Sequence, residues 1–423
     1  MREMKDNGIE WIGEIPKDWN LSKIGAVYDE RNTKVSDVEY QPLSVTKQGI
    51  VPQLETAAKT DNGDNRKLIK KNDFVINSRS DRRGSCGISE YDGSCSLINT
   101  VLKPRNNMCN KYYSFVFRSE RFADEFYRWG NGIVDDLWST KWSNMKRIYI
   151  PQPSITEQER LADYLDKKCS LIDEVIRKQE KMIEKLKEYR LSIITEAVTK
   201  GLNPNVEMKD SGYDYIGDIP AHWEQCRVRN IGLPQNGISK GGEYFGQGYP
   251  FVSYGDVYRN YSLPEWVNGL IESTDEEQEQ YSVKKGDIFF TRTSETIEEV
   301  GFSCVCEKEI PHATFAGFLI RVRPYNDKLY TGFAKYYFRS SHHRGYLTKE
   351  MNLVTRASLG QDLLKSMPVL VPPKEEQKVI ADVLDKVCSM IDKRITKTEV
   401  LIEKLKKYRK SLIYEVVTGK KEV

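Results

Sequence analysis

The side chains that could do chemistry fall in a few short polar stretches, and these are basic rather than catalytic. Lys47-Gln48 lies in the turn-like run VTKQGIV. Ser78-Arg79-Ser80-Asp81-Arg82-Arg83-Gly84 follows an apolar run ending at Asn77, and Thr291-Arg292-Thr293-Ser294-Glu295 follows a matching run ending at Phe290. Ser139-Thr140-Lys141-Trp142-Ser143-Asn144 and Thr355-Arg356-Ala357-Ser358 come later in each half. Arg and Lys contact phosphates or form bidentate bonds to guanine edges, and Gln and Asn do the same for adenine. The candidate nucleic-acid contacts are therefore Lys47, Gln48, Ser78, Arg79, Arg82, Arg83, Lys141, Arg292, Thr293, Ser294 and Arg356. Each alone is an ordinary residue of a solvated loop. Equivalent basic loops in both halves make the set point to DNA.

Catalytic signatures are missing. There is no GxxxxGK[ST] for a nucleotide triphosphate, no Gly-rich strand-to-helix turn for a dinucleotide, no Asn-Pro-Pro-aromatic tetrapeptide of amino-methyltransferases and no GxSxG elbow. Glu3-Met4-Lys5 and Glu207-Met208-Lys209 have the Glu-x-Lys end of a nuclease motif. No Pro-Asp partner precedes either, so no nuclease chemistry is expected. The eight cysteines are scattered without a CxxC pair, and Cys304-Val305-Cys306 reads as neighbours on a strand. The expectation is reduced thiols acting as small apolar residues. Of the four histidines, none pairs with another at helical ligand spacing and HExxH is absent, so no metal is expected.

The 423 residues suggest roughly two to four domains. Hydrophobic residues make up 39% and charged residues 30%, with Lys and Arg at 65 against Asp and Glu at 62. The net charge of +3 excludes a histone-like polycation but not a local basic surface. Mean hydropathy is −0.60. No apolar run approaches the ~18 residues of a membrane span, and the first residues lack a basic region followed by an apolar one, so a cytoplasmic protein is expected.

Internal repeats set the organisation. EMKDNGIEWIGEIPKDW at 3–19 matches EMKDSGYDYIGDIPAHW at 207–223 without a gap. EKLKEYR at 184–190 matches EKLKKYR at 403–409. Glu157-Gln158 answers Glu376-Gln377, and Ile172-Asp173 answers Ile391-Asp392. Weaker echoes are KKNDFVIN at 70–77 with KKGDIFFT at 284–291, and FRS at 117–119 with FRS at 338–340. The chain reads as two copies of one unit, a strand-rich globular part followed by a helix. Trp11, Trp19, Trp223 and Tyr215 recur in frame with Ile and Pro and are expected in the core.

From about Glu157 to Thr199, Leu161, Leu165, Cys169, Ile172, Ile176, Ile183, Leu186, Ile193 and Ala197 form a seam with steps of three, four or seven. Leu384, Cys388, Ile391, Ile395, Ile402, Leu405, Leu412 and Val416 repeat it. Polar Gln179 and Thr398 interrupt the two seams, and Tyr189 and Tyr408 are read as seam residues. Thr156 to Glu159 has capping-box spacing, and Gly201 and Gly419 read as helix stops. A helix of that length spans about 65 Å and cannot leave its apolar stripe wet, so the two helices are expected to cover each other. Chain order makes that pairing antiparallel. Short helices are expected at 111–128 and 330–346.

EMKDxGxxxIGxIPxxW, a variable strand-rich region, then Ile150-Pro151-Gln152-Pro153-Ser154-Ile155-Thr156-Glu157-Gln158 leading into a long helix, all repeated once, resembles the DNA-specificity (S) subunit of type I restriction-modification systems. The second copy, Val371-Pro372-Pro373-Lys374-Glu375-Glu376-Gln377, is shorter by two residues, so only Pro and Glu-Gln transfer. The resemblance covers essentially the whole chain. It implies an α+β architecture of two target-recognition domains, at 1–150 and 204–370, and two spacer helices, at 151–203 and 371–423, forming an antiparallel coiled coil with pseudo-twofold symmetry. It implies double-stranded DNA, two methyltransferase subunits and motor-nuclease subunits as partners, with no membrane. This chain would bind no cofactor, S-adenosylmethionine and ATP belonging to its partners, and would not be an enzyme. The family transfers no base-contacting residues. A self-contained nuclease or methyltransferase is opposed by the missing motifs, and a purely protein-binding coiled coil remains the other alternative.

Overall fold

The structure is a computed structural model that describes residues 2–53, 63–79, 82–133, 138–294, 299–350 and 357–423. It forms two compact units, Met1–Glu180 with Glu399–Val423, and Lys181–Thr398. Each contains a strand-rich part and half of each of two long helices, Ile155–Lys200 and Lys374–Val417.

The first unit is built on an antiparallel sheet of β1 (Tyr28–Glu30), β2 (Phe74–Asn77), β3 (Cys86–Ile88) and β4 (Asn99–Pro104), in the order β3-β2-β4-β1. The second has β5 (Gly232–Asn236), β6 (Ile288–Thr291), β7 (Ser303–Val305) and β8 (Leu319–Pro324), in the order β7-β6-β8-β5. Strand for strand the topology is the same, although the sequences of these regions have largely diverged. A second, three-stranded sheet differs between the units: Lys34–Val35, Arg66–Ile69 and Gly93–Cys95 in one, Phe245–Val252, Gly269–Ile271 and Thr314–Phe315 in the other.

The repeated KKxD motif lies on the turn into β2 and β6. Asn72 and Gly286 occupy the same place with φ of 73° and 92°, a left-handed conformation that Asn and Gly adopt most readily. The Asp that follows is buried and accepts the backbone N–H three residues back, Lys70 for Asp73 and Lys284 for Asp287, both at 2.8 Å. Each carboxylate is balanced by an arginine, Arg31 at 2.6 Å and Arg323 at 2.7 Å. Arg31 follows β1 whereas Arg323 lies on β8, so the same charge is neutralised from different strands.

The repeated Glu-Gln opens each long helix. Gln158 donates to Pro153 O and accepts from Cys109 N, both at 2.9 Å. Gln377 donates to Pro372 O at 2.8 Å and Lys328 O at 2.9 Å, and accepts from Tyr330 N at 2.7 Å. Both glutamines are buried and tie the helix start to the residue preceding a short helix, Asn110–Arg118 or Thr331–Tyr337. The first long helix begins at Ile155 and its cap is Ser154, whose Oγ accepts Glu157 N at 3.3 Å. The expected box at Thr156 therefore starts two residues late. Gly201 and Gly419 follow the two helices with φ of 75° and 71°. A Cβ on Gly201 would meet Trp223, and one on Gly419 would meet Pro16 and Trp19. The IPxxW hairpin of each unit therefore closes over a helix C-terminus.

Every apolar residue of the two predicted seams is buried or half-buried, the two tyrosines excepted. In the first unit Leu161, Leu165 and Cys169 share a core with Leu412, Val416 and Val417. In the second Ala197, Val198 and Ile194 share one with Ile380, Leu384 and Cys388. The repeat motifs pair reciprocally. Asp173 meets Arg409 at 2.9 Å, and Arg190 meets Asp392 at 3.3 Å. Position rises on one helix as it falls on the other, so the coiled coil is antiparallel. Thr398 satisfies its buried hydroxyl on its own helix at Arg394 O, 2.9 Å. Tyr189 and Tyr408 are 58% and 51% exposed and lie off the seam, a correction to the sequence reading.

Trp11, Trp19 and Trp223 are buried, and Tyr215 packs on the core. Each expected short helix splits in two at the serine of the FRS echo, giving Asn110–Arg118 with Glu120–Arg128, and Thr331–Tyr337 with Ser341–Glu350. Ser119 and Ser340 Oγ each bond the carbonyl three residues earlier, at 2.7 and 2.6 Å, which closes the preceding helix. His342 and His343 follow that break and are buried against Tyr337 and Phe338.

Two predictions arise. Gln377→Ala strands a buried N–H and two carbonyls and should cost about 2–3 kcal/mol in urea denaturation, with Gln158→Ala somewhat less. Burial pushes His342 down to about 3, and His343 well below its usual value. The unfolded chain takes up these protons below about pH 6.5 and the folded chain does not. Stability is therefore full above that pH and falls below it, by about 1.4 kcal/mol per pH unit for each histidine. Unfolding midpoints measured from pH 8 to 5 check this, and His343→Phe should flatten the curve.

Candidate nucleic-acid interface

In each unit the loop after the second sheet strand crosses the segment before the fourth, and in the first unit a cleft opens there. In the first unit Ser78 N donates to Ile98 O at 3.2 Å, Thr140 N donates to Ser78 O at 2.9 Å, and Arg79 bridges to Ser139. In the second, Arg292 N donates to Phe318 O at 2.9 Å, Leu359 N donates to Arg292 O at 2.7 Å, and Thr293 pairs with Ser358. The backbone hydrogen bonds thus align Ser78 with Arg292 and Arg79 with Thr293. The loops are equivalent, but their arginines are one residue out of register.

The first cleft encloses about 500 Å³ and gathers Ser78, Arg79 and Lys141. Arg79 and Lys141 are exposed and make no ion pair with any described residue. Ser78 Oγ bonds Ile98 O, so its hydrogen is already engaged. Asn32, Leu97, Ile98 and Trp142 also line this cleft and were missed as candidates. Trp142 sat beside Lys141 in the stretch singled out; Asn32 and Leu97 carry no local signal because only the sheet brings them there.

Arg83 turns away. It pairs with Asp124 at 3.2 Å and lies 4.0 Å from the Tyr127 ring centroid, beside a crevice walled by Phe117, Phe122 and Phe126. Arg82 is exposed on the same loop. Lys47 and Gln48 form the exposed tip of a hairpin joining Leu43–Thr46 to Gly49–Pro52, outside this cleft. In the second unit Arg292, Thr293 and Ser294 are half-buried, and Ser294 Oγ donates to Glu299 at 2.8 Å. Arg356 lies outside the described residues.

The FRS arginines hold loops rather than ligands. Arg118 donates to Lys47 O at 3.4 Å. Arg339 grips the carbonyls of Ser303, Val257, Tyr258 and Asn260 at 2.6, 2.8, 3.0 and 2.7 Å. The Glu-x-Lys lysines are also structural. Lys5 Nζ donates to Lys17 O at 2.8 Å, and Lys209 Nζ to Ala221 O and Trp223 O at 2.7 Å.

A broad groove of about 940 Å³ in the second unit runs beside the long helices. Arg190 there donates to Tyr261 Oη at 2.8 Å, and Lys335 pairs with Asp385 at 2.8 Å. Arg259, Lys393 and Lys397 face it without an ion pair among the described residues. Among the described residues no three of His, Cys, Asp and Glu gather as a metal site, and no helix is long and apolar enough to cross a membrane. Burial raises the Cys304 thiol strongly and pushes Cys306 up to about 12, as inert core thiols require.

The duplicated sheet and paired helices define a class of protein with solved members. The fold matches a chain from a structure titled "Structural basis underlying complex assembly and conformational transition of the type I R-M system", with a TM-score of 0.73 at 14% identity over 95% of this chain and 98% of that one. It also matches the HsdS subunit from Thermoanaerobacter tengcongensis, with a TM-score of 0.57 at 16% identity over 98% and 99%. Residues 223–404 match the type I restriction modification DNA specificity domain. The chain is 23% identical to a putative type I restriction enzyme MjaX specificity subunit of Methanocaldococcus jannaschii, over 97% of this chain and 95% of that protein. It is likewise 23% identical to the EcoKI specificity subunit of Escherichia coli K12, over 87% and 82%. Along nearly its whole length the chain is therefore similar to type I restriction-modification specificity subunits.

The two FRS arginines should differ in worth. Arg339→Ala leaves four carbonyls without their donor and should cost about 3 kcal/mol in thermal unfolding, whereas Arg118→Ala, with one long contact, should cost under about 1 kcal/mol.

Proposed function

We propose that this chain is the DNA-reading subunit of a type I restriction-modification complex, each globular part reading one half of a bipartite site. The observation that carries this is the duplicated scaffold with differently equipped loops at the same place, Ser78-Arg79 in one unit and Arg292-Thr293 in the other. Equal scaffolds suit the two similar grooves of a duplex, and unequal side chains read unequal sequences. The paired helices fix the unread spacer between half-sites, which major-groove readers place about one turn, roughly 34 Å, apart.

The helices also dock two methyltransferase subunits. Leu171, Val175, Met182 and Tyr189 stand exposed at steps of four and seven on the first, and Met390, Leu401 and Tyr408 stand exposed on the second. Such outward apolar rows are interface material. Motor-nuclease subunits join that core. This chain works in the cytoplasm, catalyses nothing itself, and leaves S-adenosylmethionine, ATP and Mg²⁺ to its partners.

Methylome sequencing of a host carrying the chain and its methyltransferase partner identifies the site. In gel shifts with that complex, the double variant Arg79→Ala, Lys141→Ala should weaken binding to one half-site at least tenfold and lower the salt slope by about two. Arg83→Ala should leave both nearly unchanged. Unchanged affinity and salt slope in the double variant would remove the first cleft from the interface.

A further inference from the structure

We infer that Phe318, and at the equivalent place Ile98 with its neighbour Leu97, are specificity-determining contacts that each seat the 5-methyl group of a thymine in the major groove. The inference deepens the DNA-reading assignment and rests on it.

The equivalence comes from the backbone. Phe318 O accepts the N–H of Arg292 as Ile98 O accepts that of Ser78, and the next residue of each, Leu319 or Asn99, pairs with the end of the neighbouring strand at Thr291 or Asn77. Phe318 is 66% exposed, while Leu319 beside it is fully buried, so the chain is anchored and the ring still points outward. Leu97 is 41% exposed, and it and Ile98 line the first cleft. A single exposed apolar residue means little. Recurrence is the informative feature. Tyr325 is also 63% exposed, but its counterpart, fixed by the same hydrogen bond from N–H to Ile231 O or Val27 O, is Arg105. At the 98/318 position an apolar residue recurs, half-buried as Ile98 beside exposed Leu97 in one unit and exposed as Phe318 in the other, whereas at the Tyr325 position it does not.

The surroundings define the ligand chemistry. Around Phe318 stand Arg292 and Thr293, and around Ile98 stand Ser78, Arg79 and Lys141. One apolar side chain among hydrogen-bonding groups matches the major-groove face of a base pair, where the thymine methyl is the apolar feature. A carboxamide also recurs. Asn236 is opposite Ile320, and Asn32 falls at the corresponding step of β1 beyond the Glu30–Leu102 pair. Asn236 Oδ1 is buried with no hydrogen-bond partner among the described residues. An asparagine for adenine and an apolar contact for its thymine together fit one A·T pair in each half-site.

The test uses the chain assembled with its methyltransferase subunits, on the duplex that methylome sequencing identifies. Each thymine of the site is replaced singly by deoxyuridine, which removes only the methyl group. One replacement in each half should weaken binding about fourfold, the worth of one buried methyl. Phe318→Ala should abolish the penalty in one half, Leu97→Ala with Ile98→Ala should abolish it in the other, and Phe318→Leu should retain it, all with the salt slope unchanged. A half-site without thymine, no deoxyuridine penalty in the wild-type complex, or a penalty that persists in the alanine variants overturns the inference. Loss of all site-specific binding by the wild-type complex is a different result and overturns the DNA-reading assignment itself.

Discussion

The structure depends on the burial of two apolar seams, each too long to be covered by a globular part of ordinary size. Isolated helices gain little from propensity, so a helix of 46 residues persists because its stripe is removed from water along its length. The starts and ends of the helices pack into the strand-rich cores, through Leu161, Leu165 and Val416 in one unit and Ile380, Leu384 and Val198 in the other. The reciprocal ion pairs Asp173–Arg409 and Arg190–Asp392 fall on motifs that the sequence repeats. A contact in which each copy supplies the same acid and the same base is self-complementary, as in a twofold dimer interface. A duplicated chain obtains it once two copies of one helix face each other in opposite directions.

The same constraint explains which residues of the globular parts stayed alike. The KKxD turn, the Glu-Gln at each helix start, the FRS break and the IPxxW hairpin all satisfy buried polar groups or close a helix end. Such groups are costly to leave unmade. Gln377 alone serves one N–H and two carbonyls. The solutions are not identical in detail. Glu157 receives the Trp19 indole N–H at 2.9 Å, whereas Glu376 faces His222 at 2.8 Å and the Trp223 N–H has no partner among the described residues. Divergence is tolerated where a substitute partner reaches the same place.

Much of this was legible in the sequence, for identifiable reasons. A seam spaced by three, four and seven residues over forty positions is a strong periodic signal, and a gapless seventeen-residue repeat needs no structure to be seen. What escaped depends on tertiary registry. That Arg79 aligns with Thr293, and Ser78 with Arg292, is decided by which carbonyl each N–H finds across the sheet. Arg82 and Arg83 look interchangeable in the sequence, yet Asp124 and Tyr127, some forty residues away, claim Arg83. Tyr189 and Tyr408 fall close enough to the heptad frame to be read as seam residues, but the helix turns them outward. Asn32 and Phe318 had no local pattern to mark them.

The charge balance bears on how such a protein can read DNA. Many cations that look available are neutralised within the fold: Arg31 by Asp73, Arg323 by Asp287, Arg190 by Asp392 and Lys335 by Asp385. With a net charge of only +3, counterion release alone supplies modest affinity. Under the proposed function, a recognition surface of few free cations relies on base-edge contacts for discrimination. That balance suits a protein whose task is choice of sequence. A strongly basic chain would hold any duplex tightly, and the same base contacts would then separate a correct site from the many incorrect ones against a larger non-specific background.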